Sequence, residues 1–511
     1  MIRTIRLILC DQLNPEHPWF EAVDDQVLYL MMESREEAQY TTHHILKVAG
    51  FLLSMRDFAK TIQGNGHRLK YLKLDDPENR QFMEGNLFHI FSKENPTLFE
   101  FQEPDEYRLD ELLKSLSEKT TVPFRMVSSY HFLTERKDLS TFFGDRKSWR
   151  METFYRTVRQ KSNLLMDNGQ PLGGQWNYDA ENRESVPAHL ALPETFDFRH
   201  DASELVGMLD RMEIKTMGNL PDQISWLPIN REESLLMLTH FCEQLLPFFG
   251  RYEDAMVTRH ATLFHSRLSF SLNTKMLRPL EVVQAAIAEF EARPDEISLP
   301  QIEGFVRQII GWREYMRGVY WARMPEFSTL NFFNHDSPLP SWFWTGETKM
   351  KCMRTCITHS LDTGYAHHIQ RLMVTGNFAL LFGAHPDEVD QWYLGIYVDA
   401  VEWVQITNTR GMSQYADGGF TASKPYVSSA RYIHKMSDYC TGCHYNPALK
   451  TGARSCPFNS LYWDFHDRHQ SLLQENPRIG MTFRTWEKMK LEERTALLER
   501  AAWIRSHPEE L

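Results

Sequence analysis

The chain has 511 residues, of which 42% are hydrophobic and 24% charged, and its formal net charge is −12. This length predicts at least two domains, and the composition is that of a globular protein, which excludes disordered and fibrous classes. No apolar run reaches the roughly 18 to 20 residues of a membrane span, so we predict a cytoplasmic protein without a membrane partner. The net negative charge argues against a nucleic-acid partner, but it still permits a local basic groove on one face of the protein.

Strand-like and helical segments alternate up to about residue 130. Apolar runs at 5–10, 27–32, 69–74 and 124–128 alternate with helical stretches such as 43–63. This alternation predicts a small α/β domain with a mostly parallel sheet. The first strand is not followed by G-x-G-x-x-G, so a dinucleotide fingerprint is absent from that turn. Ligands of such sheets still bind beyond the carboxyl ends of the strands.

The rest of the chain divides into a connector and a helical part. Residues 141 to about 226 carry scattered prolines and the pair Gly173-Gly174, which indicates a long irregular connector. From residue 230 onward apolar residues recur with helical spacing. We therefore predict an α/β domain at 1–135, an interdomain connector at 136–229 and an all-α domain at 230–511.

The cysteines point to metal ligation. Seven cysteines in a chain of this size do not make a disulfide scaffold. Cys440, Cys443 and Cys456 form a C-x2-C-x12-C pattern, and Cys352 or Cys356 could supply a fourth thiolate. Zinc and an iron–sulfur cluster fit this pattern about equally well, and unliganded thiols are a third alternative. The residues alone leave these alternatives open.

Several long motifs occur together along the chain. They are WNYDAENR at 176–183, HSRLS at 265–269, QIIGWREYMRG at 308–318, AHHIQRLM at 366–373 with GNF at 376–378, and GMSQYADGG at 411–419. In combination they resemble the iron–sulfur bacterial cryptochromes and photolyases, whose repair members are prokaryotic (6-4) photolyases. The resemblance covers essentially the whole chain. It implies the cryptochrome/photolyase fold, with a Rossmann-like α/β antenna domain followed by an all-α FAD-binding domain.

This resemblance implies light-driven repair of (6-4) pyrimidine–pyrimidone photoproducts in UV-damaged DNA, by electron transfer from photoexcited reduced FAD. A blue-light photoreceptor without repair activity is the main alternative. A light-independent iron–sulfur DNA-binding module is a more distant one, and it predicts no bound flavin. The family also implies a monomer. The residues do not separate (6-4) products from cyclobutane dimers as substrates.

The resemblance also implies ligands for each cofactor. A [4Fe-4S] cluster falls on Cys352, Cys440, Cys443 and Cys456. The residues matched to FAD are His265, Ser266, Arg267, Leu268, Ser269, Gln308, Trp312, Arg313, Arg371, Asn377, Asp399, Gln405 and Asn408. Within this set the 265–269 stretch would contact the phosphates, with ordinary helix capping as the alternative. Arg371 and Asp399 would form the ion pair beside the flavin ring, or a purely structural pair, and Gln405 stands where we expect a carboxylate.

Further residues are matched to the antenna, to electron transfer and to the lesion. The antenna chromophore 6,7-dimethyl-8-ribityllumazine would lie against Cys10, Asp11, Gln12, Glu33 and Lys47, for which a polar surface is the alternative. Electrons would reach the flavin through Trp344, Trp392, Tyr393 and Tyr432. The residues expected at the lesion or the DNA are Asp179, Arg183 and Met412. The residues expected to act in catalysis are His367, His368 and Tyr426, since histidine titrates near neutral pH.

Two expectations concern charge near the connector. The densest basic run after the first domain consists of Arg146, Lys147, Arg150, Arg156 and Arg159. It could contact DNA phosphates, although a solvated helix face is the alternative for each residue. The sequence leaves open whether Mg²⁺ binds near the connector, at carboxylates such as Asp179 and Asp254.

Overall fold

The computed structural model describes residues 2–146, 148–178, 183–221 and 223–511. The first part of the chain forms a parallel sheet. The strands and helices of this part are β1 (Thr4–Leu7), β2 (Val27–Met32), α1 (Arg35–Gln39), β3 (His43–His44), α2 (Ile45–Gly64), β4 (Leu69–Leu72), α3 (Met83–Glu94), β5 (Leu98–Gln102), α4 (Tyr107–Glu118) and β6 (Phe124–Val127). Five strands pair in the order β4-β2-β1-β5-β6, and every pairing is parallel.

Hydrophobic side chains hold this sheet between two layers of helices. Ile5 and Leu30 are completely buried, and their neighbours Leu7 and Met31 are almost equally so. A sheet covered on both faces needs such continuous apolar strands. The parallel α/β domain predicted from the alternating pattern is confirmed. The carboxyl ends of β1 and β2 lie side by side, because Thr4 pairs with Val27 in register.

The strand β5 was missed by the sequence analysis because a carboxylate interrupts its apolar pattern. Glu100 lies in the middle of β5 and is almost fully buried. Arg6 on β1 donates from Nε to this carboxylate at 2.8 Å, and Arg125 on β6 donates from Nε at 2.6 Å. Because both neighbouring strands supply a cation, the charge is tolerated inside the sheet.

The region predicted as an irregular connector contains regular elements. These are α5 (Asp138–Phe143), α6 (Met151–Lys161), α7 (Ser203–Arg211) and the two-residue strands β7 (Met166–Asp167), β8 (Gln170–Pro171), β9 (His200–Asp201), β10 (Thr216–Met217) and β11 (Gln223–Ile224). Leu139 and Tyr155 pack into the core of the helical part, whereas Leu205 and Ile224 pack against α2 and the sheet. The region therefore contributes to both cores, and its prolines and glycines hid these short helices.

The remaining residues form one large helical core. Its α-helices are α8 (Arg231–His240), α9 (Leu246–Phe249), α10 (Ser269–Asn273), α11 (Pro279–Ala292), α12 (Leu299–Val306), α13 (Glu314–Arg323), α14 (Lys351–Thr363), α15 (His368–Gln370), α16 (Asn377–Phe382), α17 (Pro386–Ile396), α18 (Glu402–Ile406), α19 (Ala430–Met436), α20 (Pro457–Arg468), α21 (Gln470–Leu473), α22 (Gly480–Lys488) and α23 (Leu491–Ser506). Within the described part of the chain, no helix is both long and apolar enough to cross a membrane.

Several of these helices are joined end to end by π-helical turns. Arg307–Arg313 joins α12 to α13, Arg371–Gly376 joins α15 to α16, and Thr407–Ser413 follows α18. A fourth π turn, Phe241–Leu245, joins α8 to α9. Such turns are rare in proteins, and those that occur are often at functional sites. The first three converge on one cavity, which is described next.

Candidate functional site

A large cavity lies inside the helical part and is called the central cavity. Its volume is about 1510 Å³, including the part open to solvent. The three converging π turns and the loop before α10 supply much of its wall. Of the residues matched to FAD, those that line it are His265, Ser266, Arg267, Leu268, Ser269, Gln308, Trp312, Arg313, Arg371, Asp399, Gln405 and Asn408. The structure thus brings together residues from five separate stretches of the sequence.

Asn377 is the one FAD-matched residue that does not line the central cavity. Its side chain is fully buried and is bound by a neighbouring loop. Its amide nitrogen donates to the backbone oxygen of Ser428 at 3.0 Å, and its oxygen accepts from the Ser428 backbone nitrogen at 3.1 Å. Both polar ends of the Asn377 amide therefore hold α16 to that loop, and its contact with FAD stays a prediction.

Arg371 and Asp399 form an ion pair on the cavity wall. Two guanidinium nitrogens of Arg371 lie 3.0 and 3.1 Å from the carboxylate oxygens of Asp399. Ser269 donates to the same carboxylate at 2.6 Å, and Arg371 lies 3.8 Å above the ring of Tyr397. Burial opposes the charge of Arg371, but Asp399 outweighs it and the pKa of Arg371 is raised. The pair therefore presents a fixed cation to the cavity.

Two other arginines, Arg267 and Arg313, also line the central cavity. Within the described residues, neither Arg267 nor Arg313 forms an ion pair with a carboxylate. Arg313 donates instead to the neutral acceptors Asn273 Oδ1 at 2.5 Å and Leu272 O at 3.1 Å, and its Nε has no partner. Burial lowers the pKa of Arg267, and it lowers that of Arg313 to about 10. Two desolvated cations beside a cavity are complementary to an anionic group such as a diphosphate.

The three histidines at the cavity do not occupy equivalent positions. His265 and His368 line the cavity, whereas His367 lies behind His265 and is 2% exposed. The rings of His265 and His367 stack with centroids 4.4 Å apart and an interplanar angle of 14°. His265 Nε2 lies 3.1 Å from the backbone oxygen of Glu253, which fixes its tautomer as the Nε2-protonated form.

The surroundings of His367 and His368 shift both pKa values in the same direction. Burial and then the neighbouring His265 lower the pKa of His367. His368 is exposed to the open cavity, but withdrawal from bulk water and the charge of Arg371 lower its pKa as well. Both shifts favour the neutral form of the rings.

A second cavity lies at the carboxyl end of the sheet and is called the N-terminal cavity. Four of the residues matched to the antenna, Cys10, Asp11, Glu33 and Lys47, line it, and its volume is about 1020 Å³ including open solvent. Gln12 does not line it. The side chain of Gln12 is buried between strands, where it accepts from Leu9 N at 3.1 Å and donates to Gln102 O at 3.3 Å.

A third, smaller cavity is surrounded by cysteines and is called the cysteine cavity. Cys352, Cys440, Cys443 and Cys456 all line it, whereas Cys356 does not. Cys352 lies in the first turn of α14 and Cys456 is the N-cap residue of α20, while the C-x2-C pair lies in the segment between α19 and α20. Among the described residues, no group of three or more His, Cys, Asp or Glu side chains converges as ligands of a single ion would. The four thiols instead surround a space.

Comparison with known proteins identifies the family. The chain is 40% identical over 499 residues to a (6-4) photolyase of Agrobacterium fabrum, which covers 97% of this chain and 98% of that protein. The chain belongs to the (6-4) photolyase family. Residues 6–226 also match the family described as deoxyribodipyrimidine photo-lyase-related protein.

Solved structures confirm the fold that the resemblance implies. A bacterial class III photolyase from Agrobacterium tumefaciens aligns with a TM-score of 0.55 at 16% identity, covering 85% of this chain and 86% of that one. A cryptochrome from Synechocystis sp. PCC6803 aligns with a TM-score of 0.53 at 12% identity, covering 85% and 88%. The N-terminal α/β part and the helical remainder are thus arranged as in photolyases and cryptochromes.

In this photolyase, the aromatic residues matched to electron transfer form a partial path. Tyr393 lines the central cavity, and its ring centroid is 5.2 Å from that of Trp392. Trp392 contacts Phe343 at 5.1 Å, and the next residue, Trp344, is 42% exposed. Tyr393 and Trp392 are therefore neighbouring aromatic side chains beside the cavity, and the role of Trp344 in electron transfer stays a prediction. Tyr432 lies elsewhere, with its hydroxyl 3.2 Å from an Asp254 oxygen.

The residues matched to DNA and lesion have mixed positions. Arg183 is exposed, whereas Met412 is buried, and neither Met412 nor Tyr426 lines the central cavity. Asp179 lies outside the described residues, as does Lys147 of the basic run.

Within the basic run, Arg159 cannot contact phosphate. It is fully buried, and its guanidinium donates to the backbone oxygens of Leu164 at 3.0 Å and Leu165 at 2.5 Å. The other described members, Arg146, Arg150 and Arg156, are exposed. Arg159 is buried on the same face of α6 as Tyr155 and Val158. Only this shared apolar face could have shown from the sequence that Arg159 is buried while the other arginines of the run are exposed.

Sequence reasoning missed several residues on the cavity walls. In the central cavity they are Glu253, Tyr365, Tyr397 and Ser413. In the N-terminal cavity they are Glu37, Tyr40, His43, Glu106 and Arg108. The second group follows β2 and β5 in the sequence, so the carboxyl-end rule could have found part of it. The first group carried no such signal.

Proposed function

We propose that this chain repairs (6-4) photoproducts in UV-damaged DNA with light, by electron transfer from photoexcited reduced FAD. The observation that carries the proposal is the central cavity. Its wall combines two desolvated arginines without carboxylate partners and one arginine–carboxylate pair, in a chain that is 40% identical to a (6-4) photolyase over 97% of its length. A blue-light photoreceptor without repair activity is not favoured by that relationship.

The charged groups on the cavity wall support FAD as the ligand. Arg267 and Arg313 would hold the diphosphate, because each is a buried cation without a carboxylate. Gln405 on α18 and Asn408 on the π turn that follows would meet the polar edge of the flavin. Reduced FAD, when bound, supplies the photoexcited electron. The protein residues bind it, orient it and exclude water from it.

Arg371 would favour a negatively charged ring system in this cavity. Its charge is fixed by Asp399, and the guanidinium stays within the wall through Nε, which donates to Ala366 O at 2.6 Å. A cation at this place lowers the energy of an anion nearby. Burial and then the charge of this cation lower the pKa of His368.

His368 would transfer the proton that a (6-4) lesion requires. Its ring is exposed to the cavity, whereas His367 is covered by the stacked ring of His265. A bound negative charge, from the cofactor or from lesion phosphates, would raise the pKa of His368 towards neutrality. His368 can then hold a proton at neutral pH and donate it. His367 would serve as its buried support.

The cysteine cavity fits a [4Fe-4S] cluster. Four thiols from α14, the C-x2-C turn and the start of α20 surround it, and four cysteines are the ligand set of such clusters. The N-terminal cavity would hold the 6,7-dimethyl-8-ribityllumazine antenna, because aliphatic side chains and several carboxylates share its wall. Mg²⁺ near Asp254 stays a prediction.

DNA would approach with its flipped lesion facing the central cavity. Exposed Arg146, Arg150 and Arg156 could contact the phosphate backbone. A monomer acting in the cytoplasm stays our prediction from the sequence.

A repair assay tests this proposal. Purified, reduced protein would be illuminated with blue light in the presence of an oligonucleotide carrying either a (6-4) product or a cyclobutane dimer, with dark controls. We expect light-dependent loss of the (6-4) lesion alone. No repair of either lesion by protein that holds reduced FAD and its cluster would overturn the proposal in favour of the photoreceptor.

A further inference from the structure

One buried glutamine joins the cysteine cavity to the histidine segment, which is defined as residues 366–371. Gln370 is 2% exposed and lies at the end of the short helix α15. Its side-chain oxygen accepts from the backbone nitrogen of His367 at 3.1 Å. Its side-chain nitrogen donates to the hydroxyl of Tyr439 at 3.0 Å. Each end of one amide is thus committed to a different part of the molecule.

Tyr439 belongs to the wall of the cysteine cavity. It is 1% exposed, lines that cavity and directly precedes the thiol Cys440. Its hydroxyl also interacts with the thiol of Cys356, the cysteine that does not line the cavity. Tyr439 is therefore fixed on one side by the turn that carries the C-x2-C pair. On the other side its hydroxyl accepts a hydrogen bond from Gln370.

The histidine segment depends on this contact for its position. α15 has only three residues and cannot be stable by itself. The backbone N–H of its N-cap residue, His367, is satisfied by Gln370, and its last residue continues into the π turn that carries Arg371. If Gln370 turned away, the buried His367 N–H and the Tyr439 hydroxyl would both lose a partner, which is costly inside a protein.

From this arrangement we propose that Tyr439 and Gln370 are positioning residues, which hold His367 and His368 in place from the wall of the cysteine cavity. The inference rests on the proposed role of the histidines in repair. The wall of the cysteine cavity would then support the reaction by holding the histidine segment in place, through the hydroxyl of Tyr439 and the amide of Gln370.

The first measurement is hydrogen–deuterium exchange of the holoprotein, read by mass spectrometry on peptides that contain residues 366–371. Tyr439→Phe removes only the hydroxyl. We expect exchange in this segment to become roughly three- to tenfold faster, which corresponds to the loss of one buried hydrogen bond. Tyr445→Phe is the matched control, because Tyr445 lines the same cavity. Within the described residues, its hydroxyl makes no hydrogen bond to the histidine segment, so exchange there should not change.

Gln370→Met provides a second variant that leaves the cysteine cavity intact, since Gln370 does not line it. We expect the same faster exchange with full iron and flavin content. Unchanged exchange in Gln370→Met, or equal exchange in Tyr439→Phe and Tyr445→Phe, would overturn the proposal. Because exchange is read without light or lesion, this outcome is independent of whether the histidines act in repair.

Comparing the affinity for lesion-containing DNA with the yield of repair distinguishes a positioning role from a general loss of structure. With Gln370→Met we expect the yield of (6-4) repair per absorbed photon to fall several-fold, while the affinity for lesion-containing DNA changes less than twofold. An equal fall in affinity, flavin content and repair would mean that the variant merely unfolds the site, and would contradict the positioning role. Failure of the proposed function is recognised separately, by wild-type repair in His368→Ala.

Discussion

Lys275 joins the N-terminal cavity to the helical part of this photolyase, and its replacement has a predictable cost. Its amino group lies 2.7 Å from an Asp105 oxygen and 3.2 Å from an Asp11 oxygen, and its side chain is completely buried. Lys275→Met keeps much of the side-chain length but leaves two buried carboxylates without their cation. Removing one partner of a buried ion pair costs about 3–5 kcal/mol.

This cost can be expressed as a shift in thermal stability. An unfolding entropy of about 2.1 cal/mol/K per residue, applied to 511 residues, converts it to a fall of roughly 3–5 °C in the unfolding midpoint. The assay is thermal unfolding followed by circular dichroism. Lys161→Met, which replaces an exposed lysine at the end of α6, is the control and should change the midpoint little.

The pH dependence gives the sharper test. Burial, opposed by Lys275, raises the pKa of Asp11 to about 6 in the folded protein, and removing the lysine raises it further. A folded pKa above the unfolded value means that the folded state binds the extra proton, so stability is lost as pH rises and regained as pH falls. We therefore expect the deficit of Lys275→Met to be largest near pH 8 and much smaller near pH 5.5. A deficit that is absent at pH 8, or equal at both pH values, would refute this reasoning.

Three further predictions concern the cavities. Cys352→Ser should abolish iron binding while Cys356→Ser retains it, as measured by iron and sulfide content; equal iron in both would contradict the assignment of ligands. Arg371→Met should purify with much less flavin than wild type, or with a flavin that is harder to reduce, which absorption spectra during photoreduction will show. His368→Ala should keep its flavin and lose (6-4) repair by about 100-fold or more, and repair within twofold of wild type would exclude a proton-transfer role.

Much of the fold followed from local patterns in the sequence. Alternating apolar runs and helical stretches were enough for the parallel sheet, because burial on both faces demands continuous hydrophobic strands. β5 escaped because Glu100 breaks its apolar run, and this glutamate is tolerated only through Arg6 and Arg125 on neighbouring strands. Such compensation is a tertiary property that one strand's sequence cannot reveal.

The site was predicted from motifs and not from the physics of single residues. The resemblance predicted that Arg371 and Asp399 form a pair, and the structure shows them paired on one wall although 28 residues separate them in the sequence. The resemblance also suggested Asn377, whose amide is bound to Ser428, and did not distinguish the exposed His368 from the buried His367. Which side of a short helix faces a cavity depends on packing from several elements, and residue spacing alone does not fix it.

The central claim is that light drives an electron from reduced flavin in the central cavity to a (6-4) lesion. The most direct measurement is the excited-state lifetime of the reduced flavin, with saturating (6-4) DNA or with the same DNA undamaged. We predict that lesion-containing DNA shortens the lifetime and that undamaged DNA leaves it unchanged. An unchanged lifetime with bound lesion DNA would contradict electron transfer at this site, and with it the proposed repair.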